Sequence, residues 1–107
     1  MTLDINDAPV RFVVDTGATS MVLTKTDAER VGLTADDLIF YSEAMTANGP
    51  VRTAPVRLDD VALGPFHDAN VRAFVNEGEM NQSLLGMDYL NRYARLEIAN
   101  GQLILER

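Results

Sequence analysis

The chain has 107 residues, of which 47% are apolar and 23% charged, and a formal net charge of −7. That length sustains one domain with its own core, and the balance excludes a disordered tail, a fibrous repeat and a phosphate-binding surface, since the last needs clustered Lys and Arg. There is no cysteine for a disulfide framework or a thiolate metal site, and no apolar run reaches the roughly 20 residues that span a bilayer.

Short period-2 runs bounded by turn residues dominate, so the chain reads as mainly β with one or two short helices. Thr2 to Ile5 and Val10 to Val14 flank Asn6-Asp7-Ala8-Pro9, a turn-forming stretch, and make a first hairpin. Strand-like sequence begins directly after Met1, as expected of a domain excised from a longer chain. Asp15-Thr16-Gly17 interrupts an apolar run that Met21-Val22-Leu23 resumes, which sets the carboxylate in a loop between two buried strands.

Thr26 and Glu29 have the spacing of a capping box, and Gly32 supplies a left-handed terminator, so a short helix is predicted there. Ile39 to Met45 and Val51 to Leu63 read as a long hairpin turning at Ala47-Asn48-Gly49-Pro50. Val71, Ala73 and Val75 alternate in a further strand, and Asn76 to Gln82 form a polar loop. Met87, Leu90 and Tyr93 fall at helical spacing after Gly86. Asn100-Gly101, between Leu96-Glu97-Ile98 and Leu103-Ile104-Leu105, is the strongest short hairpin signal in the chain.

Asp-Thr-Gly alone is weak, because an Asp before Thr-Gly commonly closes an ordinary turn. Its flanks matter more. The run Phe12-Val13-Val14-Asp15-Thr16-Gly17-Ala18-Thr19, followed in order by Leu84-Leu85-Gly86-Met87-Asp88, resembles the pepsin-like and retroviral-type aspartic proteases. The likeness runs from Val10 to Leu105 and is nearest to bacterial single-domain members, with their Leu-Leu-Gly and Asn-Gly endings. It implies a retropepsin-like closed β-barrel, the half of an acid protease, over residues 1–107. Ala18, where pepsin-like members usually carry Ser, points to the viral-type, dimeric branch.

The resemblance implies an endopeptidase in which two carboxylates share one proton, the ionised one taking a proton from water and the protonated one polarising the scissile carbonyl. The sequence holds one such loop. The second Asp15 therefore has to come from a partner chain, and a twofold homodimer supplies it. By the same resemblance Thr16 bonds across the dimer axis, Gly17 brings its N–H near the carboxylates, and Ala18 and Thr19 complete the loop. A flap is expected at Ala47, Asn48 and Gly49, with Tyr41 in the same hairpin, and Leu84 and Leu85 are pocket candidates, with Gly86 completing their motif. No cofactor or metal is implied. The partners expected are a second copy and a peptide or protein substrate. Neither nucleic acid nor, for this segment, a membrane is among them. Related chains often carry a membrane anchor, and localisation stays open.

Other readings are plainer. His67, the sole histidine, follows Gly64-Pro65-Phe66 as a loop residue, and no serine near it lies in a nucleophile-elbow pattern. Asp36-Asp37 and Asp59-Asp60 read as turn or cap carboxylates. Two rivals to the enzyme remain, a catalytically silent binding or dimerisation module with the same fold and a purely structural β-domain.

Overall fold

The computed structural model of the protein describes residues 1–46 and 49–107, with backbone alone for residues 44–46. Among the described residues are strands β1 Thr2–Ile5, β2 Ala8–Val14, β3 Val22–Leu23, β4 Ser42–Thr46, β5 Gly49–Leu63, β6 Phe66–Asn76, β7 Ser83–Leu85, β8 Arg95–Ala99 and β9 Gln102–Glu106. Helices α1 Lys25–Arg30 and α2 Met87–Leu90 are short, and Ala35–Asp37 forms a 3-10 turn. Seven strands lie in the order β1-β2-β7-β3-β6-β5-β4, and β1 also pairs with β5, so six close into a barrel from which β4 projects. The pair β8–β9 stands apart. This is the mainly β, closed-barrel fold that the sequence predicts.

Strand alternation sends Leu3, Ile5, Val10, Phe12, Leu58, Val71, Ala73, Val75 and Leu85 into the barrel, where each is buried. Each full-sized apolar side chain among them contributes about 1.5–3 kcal/mol by leaving water. The first hairpin is tighter than its sequence suggests. Asn6 (φ 51°) and Asp7 (φ 67°) form a two-residue turn, and Ala8 and Pro9 already belong to β2. Pro9 faces Asp4 next to the closing Ile5–Ala8 pair, at a non-hydrogen-bonded position where its missing N–H costs nothing.

The cap of helix α1 lies two residues before the predicted one. Thr24, not Thr26, accepts from the Asp27 N–H, at 3.0 Å. Tertiary contacts decide this: the Thr24 N–H donates to Ser83 Oγ at 3.1 Å, and Ser83 Oγ donates to Asp27 Oδ2 at 2.5 Å. Gly32 (φ 93°) ends the helix as expected, its N–H reaching Glu29 O while the Leu33 N–H reaches Ala28 O. Because Ser83 is fully buried, Ser83→Ala leaves Asp27 and the Thr24 N–H short of a partner. We expect a loss of about 1–3 kcal/mol, read as a lower urea midpoint at an unchanged m-value.

Strand β4 begins at Ser42 rather than Ile39. Asp37 accepts from the Thr34 N–H at 2.7 Å and from Thr34 Oγ1 at 3.0 Å, closing the 3-10 turn, and the chain leaves it unpaired, with Ile39 and Tyr41 exposed. The Thr34 amide, and then its hydroxyl, lower the pKa of Asp37, so this member of Asp36-Asp37 is the turn carboxylate expected. Asp59-Asp60, in contrast, lies inside β5. His67 lies in β6, because that strand starts at Phe66, and its Nδ1 is 3.2 Å from Asp60 Oδ1.

The β8–β9 hairpin turns at Asn100 (φ 52°) and Gly101 (φ 75°), and Arg107 ties it to Asp68 on β6, donating from Nη1 to Oδ1 at 2.8 Å and from Nη2 to Oδ2. The hydrogen bonds from Arg107 outweigh burial and hold the Asp68 carboxyl below the usual carboxylate range. A carboxylate depressed on folding contributes stability that is complete above its unfolded pKa and lost as pH falls through its folded one. We expect an added loss of stability below about pH 4 that Asp68→Asn abolishes, measured as urea midpoints between about pH 6 and pH 2.

Candidate active site

Asp15 is the first residue beyond β2 and is half-buried. Its N–H donates to Leu85 O at 3.0 Å, its carbonyl accepts from the Ala18 N–H at 3.1 Å, and its Oδ1 accepts from the Gly17 N–H at 2.9 Å. The side chain is thus fixed by its own turn. Strand β7 runs parallel to β2, with Val13 opposite Leu84 and Val14 opposite Leu85, which brings Gly86 beside the loop.

The first amides of a helix have no partner within it. In α2 the loop supplies them: Met87 N–H donates to Ala18 O at 2.9 Å and Asp88 N–H to Thr19 O at 2.8 Å. Gly86 permits this approach, since a Cβ there would stand 2.5 Å from Ser20 O and 2.7 Å from both Thr19 C and Thr19 O. Leu84-Leu85-Gly86 therefore supports the Asp15 loop from beneath.

Register adds an apolar row that local sequence does not reveal. Val13 pairs with Leu84, Leu84 with Val22, Val22 with Phe74, and Phe74 with Pro55. Paired residues share a sheet face, so five apolar side chains cross five strands on the outer surface, starting two residues from Asp15. The hint available was Phe74, an apolar residue out of phase with the inward Val71, Ala73 and Val75.

Of the residues singled out from sequence, Thr16, Gly17 and Thr19 are exposed, Ala18 and Leu84 half-buried, and Leu85 and Gly86 buried. With Leu85 wholly inside, Leu84 is the member of the pair that reaches the surface. Val13 and Val14 do not close a buried strand. They are 42% and 39% exposed, because nothing among the described residues covers this end of β2. Of the flap candidates, Ala47 and Asn48 fall outside the described residues, and Gly49 (φ 103°) opens β5 opposite Thr46. Tyr41, 73% exposed, precedes β4 by one residue. Among the described residues no three His, Asp or Glu side chains are grouped as metal ligands would be.

Residues 1–92 match the model of a family described as "gag-polyprotein putative aspartyl protease". An uncharacterized protein from the cobV 5′ region of Sinorhizobium sp is 38% identical over 105 residues, which cover 97% of this chain and 45% of that protein. The uncharacterized protein RP867 of Rickettsia prowazekii (strain Madrid E) is 37% identical over 101 residues, 94% of this chain and 43% of the other. The chain thus spans less than half the length of these relatives. A retropepsin-like aspartic protease from Rickettsia conorii superimposes with a TM-score of 0.80 at 31% identity, over 98% of this chain and 79% of the other. The EIAV protease, solved with the inhibitor HBY-793, shares the fold, with a TM-score of 0.73 at 24% identity over 86% of this chain and 84% of that one. With the family model covering most of the chain and these likenesses extending over nearly all of it, the protein belongs to the retropepsin-like aspartic proteases.

Proposed function

We propose that the protein is an aspartic endopeptidase, active as a homodimer in which the Asp15 carboxylates of two copies share one proton. The observation that carries this reading is the loop itself: a half-buried carboxylate oriented by the Gly17 N–H, at the end of an apolar row, in a chain that has one such loop. The uncovered Val13 and Val14 beside it are the apolar surface that a second copy would cover.

In this reading the ionised Asp15 takes a proton from water as the oxygen attacks the peptide carbon, and the protonated Asp15 gives its proton to the carbonyl oxygen. Collapse of the tetrahedral intermediate returns a proton to the leaving nitrogen, so one water is added across the C–N bond. Thr16 bonds to the partner's loop, and the β4–β5 hairpin, on which Gly49 lies, closes over the site. An extended peptide lies beneath that hairpin, adding main-chain hydrogen bonds as a strand does, with Leu84 and Val13 against its side chains.

The test is incubation with a mixed peptide library from mildly acidic to neutral pH. Cleavage should depend on Asp15 and rise in specific activity with protein concentration, since mass action links dimer to activity. No cleavage at any concentration would remove the enzyme reading, and cleavage by a demonstrated monomer would remove the shared dyad.

A further inference from the structure

We propose that Asp68 and Arg107 are positioning residues for the Asp15 loop, acting through the tyrosine pair Tyr89–Tyr93 and helix α2. They touch no reacting atom in the mechanism above. The catalytic half of the proposal rests on the proposed function, while its structural half stands alone.

The side chain of Asp68 is 9% exposed, and a carboxylate so placed needs cationic partners. It has two, Arg107 and, at 3.4 Å, Arg92. The Arg107 guanidinium also lies over two rings, 5.1 Å from the Phe66 centroid and 4.7 Å from that of Tyr93. Forked pairing combined with stacking suits the planar guanidinium and not an ammonium. Its Nη2 further donates to the Tyr93 hydroxyl at 3.3 Å.

From Tyr93 the contacts run inward. Its hydroxyl is 2.6 Å from that of Tyr89, and the rings meet edge-to-face at 5.5 Å. Phe66 meets Tyr93 edge-on at 5.7 Å, so β6 fixes the outer tyrosine as well. Tyr89 is 1% exposed and sits on α2, and burial together with its Tyr93 partner keeps its phenol neutral. The same helix holds the Asp15 loop, through Met87 N–H on Ala18 O and Asp88 N–H on Thr19 O. One unbroken line of contacts therefore joins the ion pair to the loop: Asp68, Arg107, Tyr93, Tyr89, α2, then Ala18 and Thr19. A core tyrosine pair needs no cation for its burial. A forked, doubly stacked arginine at its outer end restricts where Tyr93, and so α2, can sit.

The test uses Arg107→Lys and Asp68→Asn in the whole chain, read by native-state amide exchange at Asp15, Ala18, Met87 and Asp88, with Leu58 and Val75 as barrel controls. The expected result is exchange at the first four amides about tenfold faster than any rise that the controls share through lost global stability. Tyr93→Phe, which removes one hydroxyl and keeps the ring, should give a smaller rise at the same amides and decides the matter if a charge variant does not fold. Where wild-type cleavage is present, kcat should fall with KM unchanged. A uniform rise across the barrel, or loosening confined to β8–β9, would overturn the proposal. Absence of wild-type cleavage would overturn the enzyme reading and leave the exchange result to decide this one.

Discussion

Asp15→Asn is expected to leave the barrel folded and to lower peptide cleavage on the order of 10³-fold or more, the scale of losing a positioned acid and base together. The amide oxygen can still accept the Gly17 N–H that Asp15 Oδ1 accepts at 2.9 Å, and the Asp15 N–H and carbonyl bonds to Leu85 and Ala18 are backbone contacts that the substitution does not touch. What is lost is a group able to take a proton from water. Circular dichroism and the thermal midpoint should therefore match the wild type while cleavage disappears.

The same variant tests the shared site by mixing. With equal amounts of wild-type and Asp15→Asn chains assorting at random, about one quarter of the dimers carry two aspartates. These hold about half of the wild-type chains. Activity per wild-type chain should thus fall to about half, and further with excess variant, if one carboxylate cannot serve both roles. An enzyme complete within one chain would keep full activity at any ratio, and that result would end the homodimer model.

How far the site was legible depended on how local its determinants are. Asp15-Thr16-Gly17 fixes its own turn through a bond two residues long, and Asn100-Gly101 sets its hairpin through its own φ angles, so both could be read directly. The cap of α1 could not. Thr24 and Asp27 have the same spacing as Thr26 and Glu29, and the choice is made by Ser83, 59 residues from Thr24 in sequence. Val13 and Val14 illustrate another limit, because an apolar β-branched pair reads alike whether its own chain covers it or leaves it exposed. The row from Val13 to Pro55 follows from barrel register, and the Asp68–Arg107 pair, 39 residues apart, from a side-chain contact between β6 and the end of the separate β8–β9 hairpin, neither of them from any local pattern.

Gly86→Ala is expected to damage both stability and cleavage, and for a reason of space alone. Gly86 has φ −92° and ψ −178°, extended backbone that alanine adopts freely. The obstacle is backbone on the far side: Ser20 O at 2.5 Å and Thr19 C and O at 2.7 Å from the new methyl, with no flexible side chain to swing aside. Relief requires the Asp15 loop to move away from β7 and α2, which stretches the bonds from Met87 to Ala18 and from Asp88 to Thr19. Overpacking of this kind costs about 1–3 kcal/mol or more, and each kcal/mol lowers Tm by about 4–8 °C in a domain of this size. Because the displaced element carries Asp15, the carboxylate proposed as catalytic, and misplacement by about 1 Å can cost about 10²-fold in rate, cleavage should fall well beyond what the loss of folded protein explains. Gly32→Ala separates the two effects. At φ 93° with no atom within 4 Å of the added methyl, it strains the end of α1 by about 1 kcal/mol and leaves the loop untouched. Gly32→Ala should therefore lower Tm with kcat unchanged, whereas Gly86→Ala lowers both; a Gly86→Ala protein with wild-type Tm and cleavage would show that the loop does not rest on this contact.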